Sequence, residues 1–371
     1  MKGPSHETTD AGDLLGGGTF LPSWAYRSRE IYDIEMESVF PRSWVFVGDT
    51  GQLAAPGDFI TEIVGTEPVV ILRDRQGELR CLSNVCTHRA ATIAAGSGNT
   101  GRFLSCPYHG WSFGLDGHLA GAPMLDLFDT AFDRGCLNLR EFRIDVWERF
   151  IFVNLDGAAP VLSDYLEEVP GQLAGHRLAS LECTHQIDEV WEGCNWKVVV
   201  DNANCDYHLP VVHPMSLGRF ANAATLEETS GINVARARAP WRPEQLESVG
   251  RSGHLSEPAA SNTLAFSVFP NFFIAAFPSG GATVMWWSPI DQTTTRSRVR
   301  SYASAASDPR ADHALLQAVQ DEDRTICQRV QQGLASNYWR PGPRHHLELR
   351  IHTFHRRLAE MLSSSVPAGA T

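Results

Sequence analysis

No uninterrupted apolar run in this sequence approaches the roughly 18 residues that suggest a membrane span. The opening Met1-Lys2-Gly3-Pro4-Ser5-His6-Glu7-Thr8-Thr9-Asp10 lacks the apolar core of a secretory signal. These absences predict a cytoplasmic chain with no membrane partner. Basic residues are also in short supply, with 31 Lys and Arg against 43 Asp and Glu and a net charge of −12. A nucleic-acid or anionic-membrane surface needs clustered cations, so neither is expected. The 8 cysteines, at 81, 86, 106, 136, 183, 194, 205 and 327, are too scattered for a disulfide framework. Reduced thiols are expected, and two of them fall in a metal-binding pattern.

What is present suits a two-domain soluble protein: 371 residues, 43% hydrophobic and 20% charged. Residues 1–18, ending in Gly16-Gly17-Gly18, are expected to form a flexible tail. Residues 19–43 predict a helical lead-in packing on the later domain, because Met36, Val39 and Phe40 follow Ile31 and Tyr32 at helical spacing. From 44 to 157 the texture is short β-branched and aromatic runs, as in Val69-Val70-Ile71-Leu72 and Phe150-Ile151-Phe152-Val153. That predicts a small all-β domain. Residues 158–371 alternate helical and strand patterns, with strands expected at 269–277, 283–287 and 296–303. A long helix is expected over 312–333, and the tail from 366 reads as frayed. The expected fold class is α+β: the all-β domain, then a larger α/β domain with an antiparallel sheet and covering helices.

The sharpest signal is Cys86-Thr87-His88 followed by Cys106-Pro107-Tyr108-His109. Two thiolates and two imidazoles satisfy four positions around iron or zinc, and each short spacing lets one turn present both donors. Zinc fingers favour two Cys followed by two His, whereas each half here carries one of each. With their flanks, Asn84-Val85 and Gly110-Trp111, the halves resemble the Rieske pattern, in which two Cys hold one iron of a [2Fe–2S] cluster and two His the other.

Between the halves, Gly96-Ser97-Gly98-Asn99-Thr100-Gly101 matches a dinucleotide fingerprint. That motif needs a helix directly after it. Arg102-Phe103-Leu104-Ser105 and then Cys106 leave no room for one, so a turn between strands is expected. No nicotinamide or flavin site is predicted, and NAD(P)H enters only indirectly, through a separate reductase.

A second constellation begins at Asn195-Trp196-Lys197 and runs through Asp201-Asn202 to Tyr207-His208-Leu209-Pro210-Val211-Val212-His213-Pro214. Two His five apart are weak evidence alone; with a carboxylate they form a triad that leaves Fe(II) positions open for O₂. Here the whole chain resembles the α subunits of Rieske non-haem iron oxygenases, including ring-hydroxylating dioxygenases and, in local wording, choline- and carnitine-type monooxygenases. The resemblance implies that His208 and His213 are iron ligands. It carries the third ligand to Asp323, with Asp321 and Glu322 as neighbouring alternatives, and gives Asn202 a site role. It implies packing for Ile351-His352-Thr353-Phe354-His355. It further implies a homotrimer, or a heterohexamer with a small β subunit, fed by a reductase and possibly a ferredoxin. The expected reaction is hydroxylation of a small organic molecule, most simply an aromatic or cyclic one, with a choline- or carnitine-like substrate as the alternative. A Rieske electron-transfer protein would end near residue 155 and would not carry the second constellation.

One departure stands out. The family places Asp or Glu three residues before the first iron His, where it links that ligand to a cluster His of a neighbouring subunit. This chain has Cys205 there and Asp206 one place later. On a regular helix Cys205 would lie beside His208 and Asp206 would point elsewhere. A charged acceptor holds an imidazole N–H better than a thiol does, so Asp206 is the expected bridge, by way of a distorted helix, with Cys205 as the alternative.

Overall fold

The computed structural model describes residues 20–128, 133–217, 226–303 and 309–364. The two expected loose tails, 1–18 and 366 onward, lie outside them. The chain divides into two units: Phe40–Leu162, continuous in sequence, and a second made of the segments before Phe40 and after Leu162.

In the first unit the β-branched runs become strands β1 (Val45–Asp49), β2 (Asp58–Val64), β3 (Glu67–Arg73), β4 (Leu79–Ser83), β5 (Ser97–Asn99), β6 (Phe103–Ser105), β7 (Ser112–Gly114), β8 (Leu119–Gly121), β9 (Glu141–Trp147) and β10 (Phe150–Asn154). Seven form one sheet in the order β1-β10-β9-β4-β3-β2-β5, and β6-β7-β8 form a second. β1 and β10 are buried along their whole length, which is why they lack polar alternation. Phe46 sits opposite Phe152, their rings edge to face at 5.5 Å. The glycine-rich segment 96–101 holds β5 between two glycines at positive φ, Gly96 and Gly101, and runs directly into β6. It is a turn and a strand, with no helix for a pyrophosphate. Val70, Leu72, Leu82, Trp111 and Phe113 form a core that also encloses Cys86 and Cys106.

The second unit is built on β11 (Glu182–Glu192), β12 (Glu227–Ser230), β13 (Val234–Pro240), β14 (Asn262–Val268), β15 (Phe272–Ala276), β16 (Ala282–Asp291) and β17 (Thr294–Ala303). They form an antiparallel sheet in the order β11-β17-β16-β15-β14-β13-β12. The helices that matter to the site are α1 (Ser23–Arg27), α2 (Arg29–Ile34), α3 (Trp196–Ala203), α4 (Leu209–Val212), α5 (Pro309–Gly333) and α6 (Leu349–Ser363). Asn195 caps α3 by accepting from the Lys197 N–H at 3.0 Å. α5 is tied to the sheet where the Ser297 hydroxyl donates to Gln320 at 3.1 Å.

The lead-in is less regular than its periodicity predicts. It breaks at Ser28, whose hydroxyl caps α2, and ends in a π-helical turn, Glu35–Val39. That turn carries fully buried Glu35, whose Oε2 accepts from Lys197 Nζ at 2.7 Å and Trp196 Nε1 at 2.8 Å. A buried carboxylate requires partners, and these two side chains supply them.

Candidate metal centres

The Cys-x-His and Cys-x-x-His segments fold into two loops closed in the same way. Cys86 donates its backbone N–H to Ala91 O at 2.9 Å and accepts from Ala90 at 2.9 Å; Cys106 donates to Trp111 O at 2.8 Å and accepts from Gly110 at 3.0 Å. The fourth residue after each cysteine has positive φ, 56° at Ala90 and 72° at Gly110. Both thiols are buried, while the His88 and His109 rings approach to 4.8 Å between centroids. His88 stacks on Trp111 at 4.7 Å, and its Nδ1 is buried without a hydrogen-bond partner among the described residues. Burial and the facing His109 hold the His88 imidazole below its ordinary pKa, and burial, with the adjacent Cys106 thiol, raises Cys86. A neutral imidazole with an orphaned nitrogen beside two buried thiols fits a cluster of the expected S₂N₂ type.

The second group is assembled from elements distant in sequence. α3 ends at Ala203, and the chain turns before His208 leads into α4, with His213 at its far end. The segment 204–208 therefore departs from regular helix, as the Asp206 expectation required. His208 Nε2 and His213 Nε2 lie 3.2 Å apart, at 3.6 and 3.0 Å from Asp323 Oδ1 on α5. Ligand atoms of all three residues fall within 4.8 Å of one another. Burial alone would raise the Asp323 pKa, but hydrogen bonds from His208, His213 and Asn202 outweigh it and hold the group at about 2. His213 is raised, with burial opposing and both Asp323 and Glu322 favouring the cation. Two imidazoles and one carboxylate converging in this way are a donor set that suits Fe(II).

The surrounding residues divide clearly. Asn202 donates from Nδ2 to Asp323 Oδ1 at 2.8 Å. Glu322 is no solvated spare: its Oε2 lies 2.7 Å from His213 Nδ1 and accepts from the Ser216 hydroxyl at 2.7 Å. This orienting carboxylate was missed in the sequence because its partner is 109 residues away. Asp321 pairs with Arg324 on its own helix. The structure does not bring Asp206 to the His208 ring. Its Oδ2 accepts from Arg350 Nη2 at 2.6 Å, while His208 Nδ1 is buried with no hydrogen-bond partner among the described residues. Cys205 faces Glu348 instead, with Sγ 3.9 Å from Oε1. In the tail segment expected to pack, His355 does more, lying 2.8 Å from Asp201 through Nε2.

Comparison with known proteins matches these two regions separately. A Rieske [2Fe-2S] domain family model covers residues 43–131, and one for the ring hydroxylating alpha subunit (catalytic domain) covers 174–364. Choline monooxygenase of Beta vulgaris is 31% identical over 360 residues, 92% of this chain and 76% of that protein. The carnitine monooxygenase oxygenase subunit of Acinetobacter baumannii is 28% identical, with 86% of each chain covered. Among solved structures, a quaternary ammonium Rieske monooxygenase superposes with a TM-score of 0.82 at 25% identity, over 96% of this chain and 100% of that one. Among the described residues no helix is long and apolar enough to cross a membrane.

Proposed function

Since the chain belongs to the Rieske non-haem iron oxygenases, we propose that it hydroxylates a small quaternary ammonium compound with O₂ and electrons delivered by a reductase. The observation that carries the substrate class is the similarity to choline and carnitine monooxygenases along nearly the whole chain. The aromatic or cyclic substrate expected from the motifs alone yields to it.

In this reading Cys86, His88, Cys106 and His109 hold the [2Fe–2S] cluster, and His208, His213 and Asp323 hold the iron. When bound, the cluster relays single electrons and the iron activates O₂. The chain's own groups do the positioning. Glu322 fixes the His213 ring through Nδ1, so that Nε2 points at the shared site. Asn202 anchors the Asp323 oxygen that faces both imidazoles. The convergence of donors within 4.8 Å supports the ligand assignment. A reductase, with or without a ferredoxin, a trimeric or β-subunit-containing assembly and a cytoplasmic setting complete the reading.

The test is product formation and O₂ uptake by the reconstituted enzyme with trimethylammonium compounds and with arenes. Turnover of the amines supports the reading; arene products without amine turnover overturn it. Asp323→Ala is expected to keep the cluster spectrum while iron falls from three to two per chain.

A further inference from the structure

The two histidines of the second metal centre are held in different ways. Glu322 fixes the His213 ring at Nδ1, whereas His208 Nδ1 has no hydrogen-bond partner among the described residues. The aim of the His208 ring therefore depends on the backbone that carries it. That backbone, residues 204–208, is not fixed by a helical ladder. It is fastened instead to a later segment. Asp206 donates its N–H to Leu347 O at 3.2 Å, and its carboxylate accepts from Arg350. The Tyr207 ring stacks on His345, with centroids 4.0 Å apart and planes at 13°. Cys205 Sγ lies 3.9 Å from Glu348 Oε1. The receiving segment is itself braced: Glu348 Oε2 accepts from the His345 N–H at 2.6 Å, and His345 Nδ1 from the Leu347 N–H at 3.2 Å.

Of these contacts, the one through Cys205 leads directly to the metal-directed residue. Burial raises the thiol first of all; the His208 backbone N–H comes next and favours negative charge on sulfur, which the Glu348 charge opposes. The sulfur therefore stands between a carboxylate and the peptide N–H of His208. Its hydrogens are accounted for. At neutral pH the S–H is retained and faces Glu348 Oε1, while the sulfur lone pairs face the N–H groups of His208 and Tyr207. Glu348 keeps its other oxygen for His345.

We propose that Glu348 is the positioning residue of His208. Its carboxylate fixes the Cys205 thiol, and the thiol fixes the His208 N–H. His208 Nε2 is thereby kept 3.2 Å from His213 Nε2 and 3.6 Å from Asp323 Oδ1. The two acids divide the work: Glu322 serves one imidazole through its ring, and Glu348 serves the other through its backbone. A thiol is a weak donor and gains most from a charged acceptor, so an acid at 348 suits a cysteine at 205.

The inference rests on the reading of His208 as an iron ligand and holds whichever substrate the site takes. Glu348→Gln keeps an oxygen for the His345 N–H but removes the charge that holds the thiol. It is expected to weaken Fe(II) binding by roughly tenfold in competition with a chelator, with cluster absorption and the urea midpoint unchanged. Cys205→Ala should lose as much, and Cys205→Ser, whose hydroxyl still donates and accepts, should lose less. Cys205→Ala combined with Glu348→Gln should lose no more than either alone, because the two side chains act as one unit. In protein that carries the cluster but no mononuclear iron, amide hydrogen exchange in the peptide containing His208 should be faster in Glu348→Gln and Cys205→Ala than in wild type. That arm needs neither mononuclear iron nor substrate, so it separates failure of the positioning from failure of the functional reading. Unchanged iron affinity or unchanged exchange in Glu348→Gln, additive losses in the double variant, or a loss that merely follows a lowered urea midpoint overturns the proposal and leaves Cys205 and Glu348 as packing around a loop.

Discussion

Arg350 grips Asp206 through Nη2 at 2.6 Å and Glu228 through Nε at 3.2 Å, with the guanidinium side chain 1% exposed. A buried guanidinium requires anionic partners, and this one uses the acid next to Cys205 to obtain them. Asp206→Asn should leave the cation with Glu228 alone and destabilise the fold by about 3 kcal/mol, read as a lowered midpoint in urea. Both metal centres should still load. Full stability combined with lost cluster-to-iron electron transfer would instead return Asp206 to the bridging role.

Glu322 gives a second expectation, because a metal-directed imidazole held through its other nitrogen binds more tightly. Glu322→Gln should weaken iron binding by roughly 10–100-fold and leave the cluster absorption unchanged. Competition with a chelator measures it. Equal affinity in the two proteins would reduce Glu322 to a surface acid.

Thiol reactivity is a third. Burial, with the Glu348 charge, pushes the Cys205 thiol up to about 12, whereas Cys136 is exposed. Since the thiolate is the reactive form, iodoacetamide at neutral pH should modify Cys136 and spare Cys205. Peptide mass spectrometry reads both positions in one digest, and rapid labelling of Cys205 would contradict the raised thiol at this half-buried position.

A fourth concerns Lys197, one of only two lysines in the chain. Its ammonium and the Glu35 carboxylate are both buried, and burial pushes Lys197 down and Glu35 up, each towards its neutral form. Lys197→Met alone should destabilise by about 3–5 kcal/mol, because an unpaired carboxylate remains inside. Adding Glu35→Leu should recover most of that loss, less the cost of about 1–3 kcal/mol for the stranded Trp196 N–H. Chemical denaturation of the three proteins decides it; equal stability of wild type and Lys197→Met would mean the pair is not buried in solution.

The sequence exposed the chemistry that is compact along the chain. Cys86 with His88 and Cys106 with His109 could be paired because each couple shares one loop. His208 and His213 stood out for the same reason, flanking one short helix. Asp323 needed the family resemblance, because nothing local distinguishes it from Asp321 or Glu322; only the helical face turned towards His213 does. The longer strands of the first unit, such as β3 and β10, were visible as β-branched and aromatic runs, and β16 and β17 in part, whereas the three-residue strands β5, β7 and β8 carry no such run. Ser28 as a break, Glu322 as the partner of His213 and Arg350 as the holder of Asp206 were hidden. Each depends on a contact across more than a hundred residues or on a cap inside a helical pattern. The end of α3 at Ala203 was hidden too, because Asn204 to Asp206 carry no proline or glycine to mark it.

The division of the chain into one continuous and one split unit also sets an order of events during synthesis. Phe40–Leu162 is complete once those residues have emerged, and domains tend to fold as units as they leave the ribosome. Tyr26 has already been made by then, but Asp323, Arg350 and His355 have not. The opening segment must therefore wait, its buried Glu35 for Lys197 and its Tyr26 first for Asp201 and then, much later in the chain, for His355. Cluster insertion can therefore precede insertion of the mononuclear iron, so a nascent chain stalled between Leu162 and Asp323 would be expected to be coloured by the cluster and to lack only the mononuclear iron.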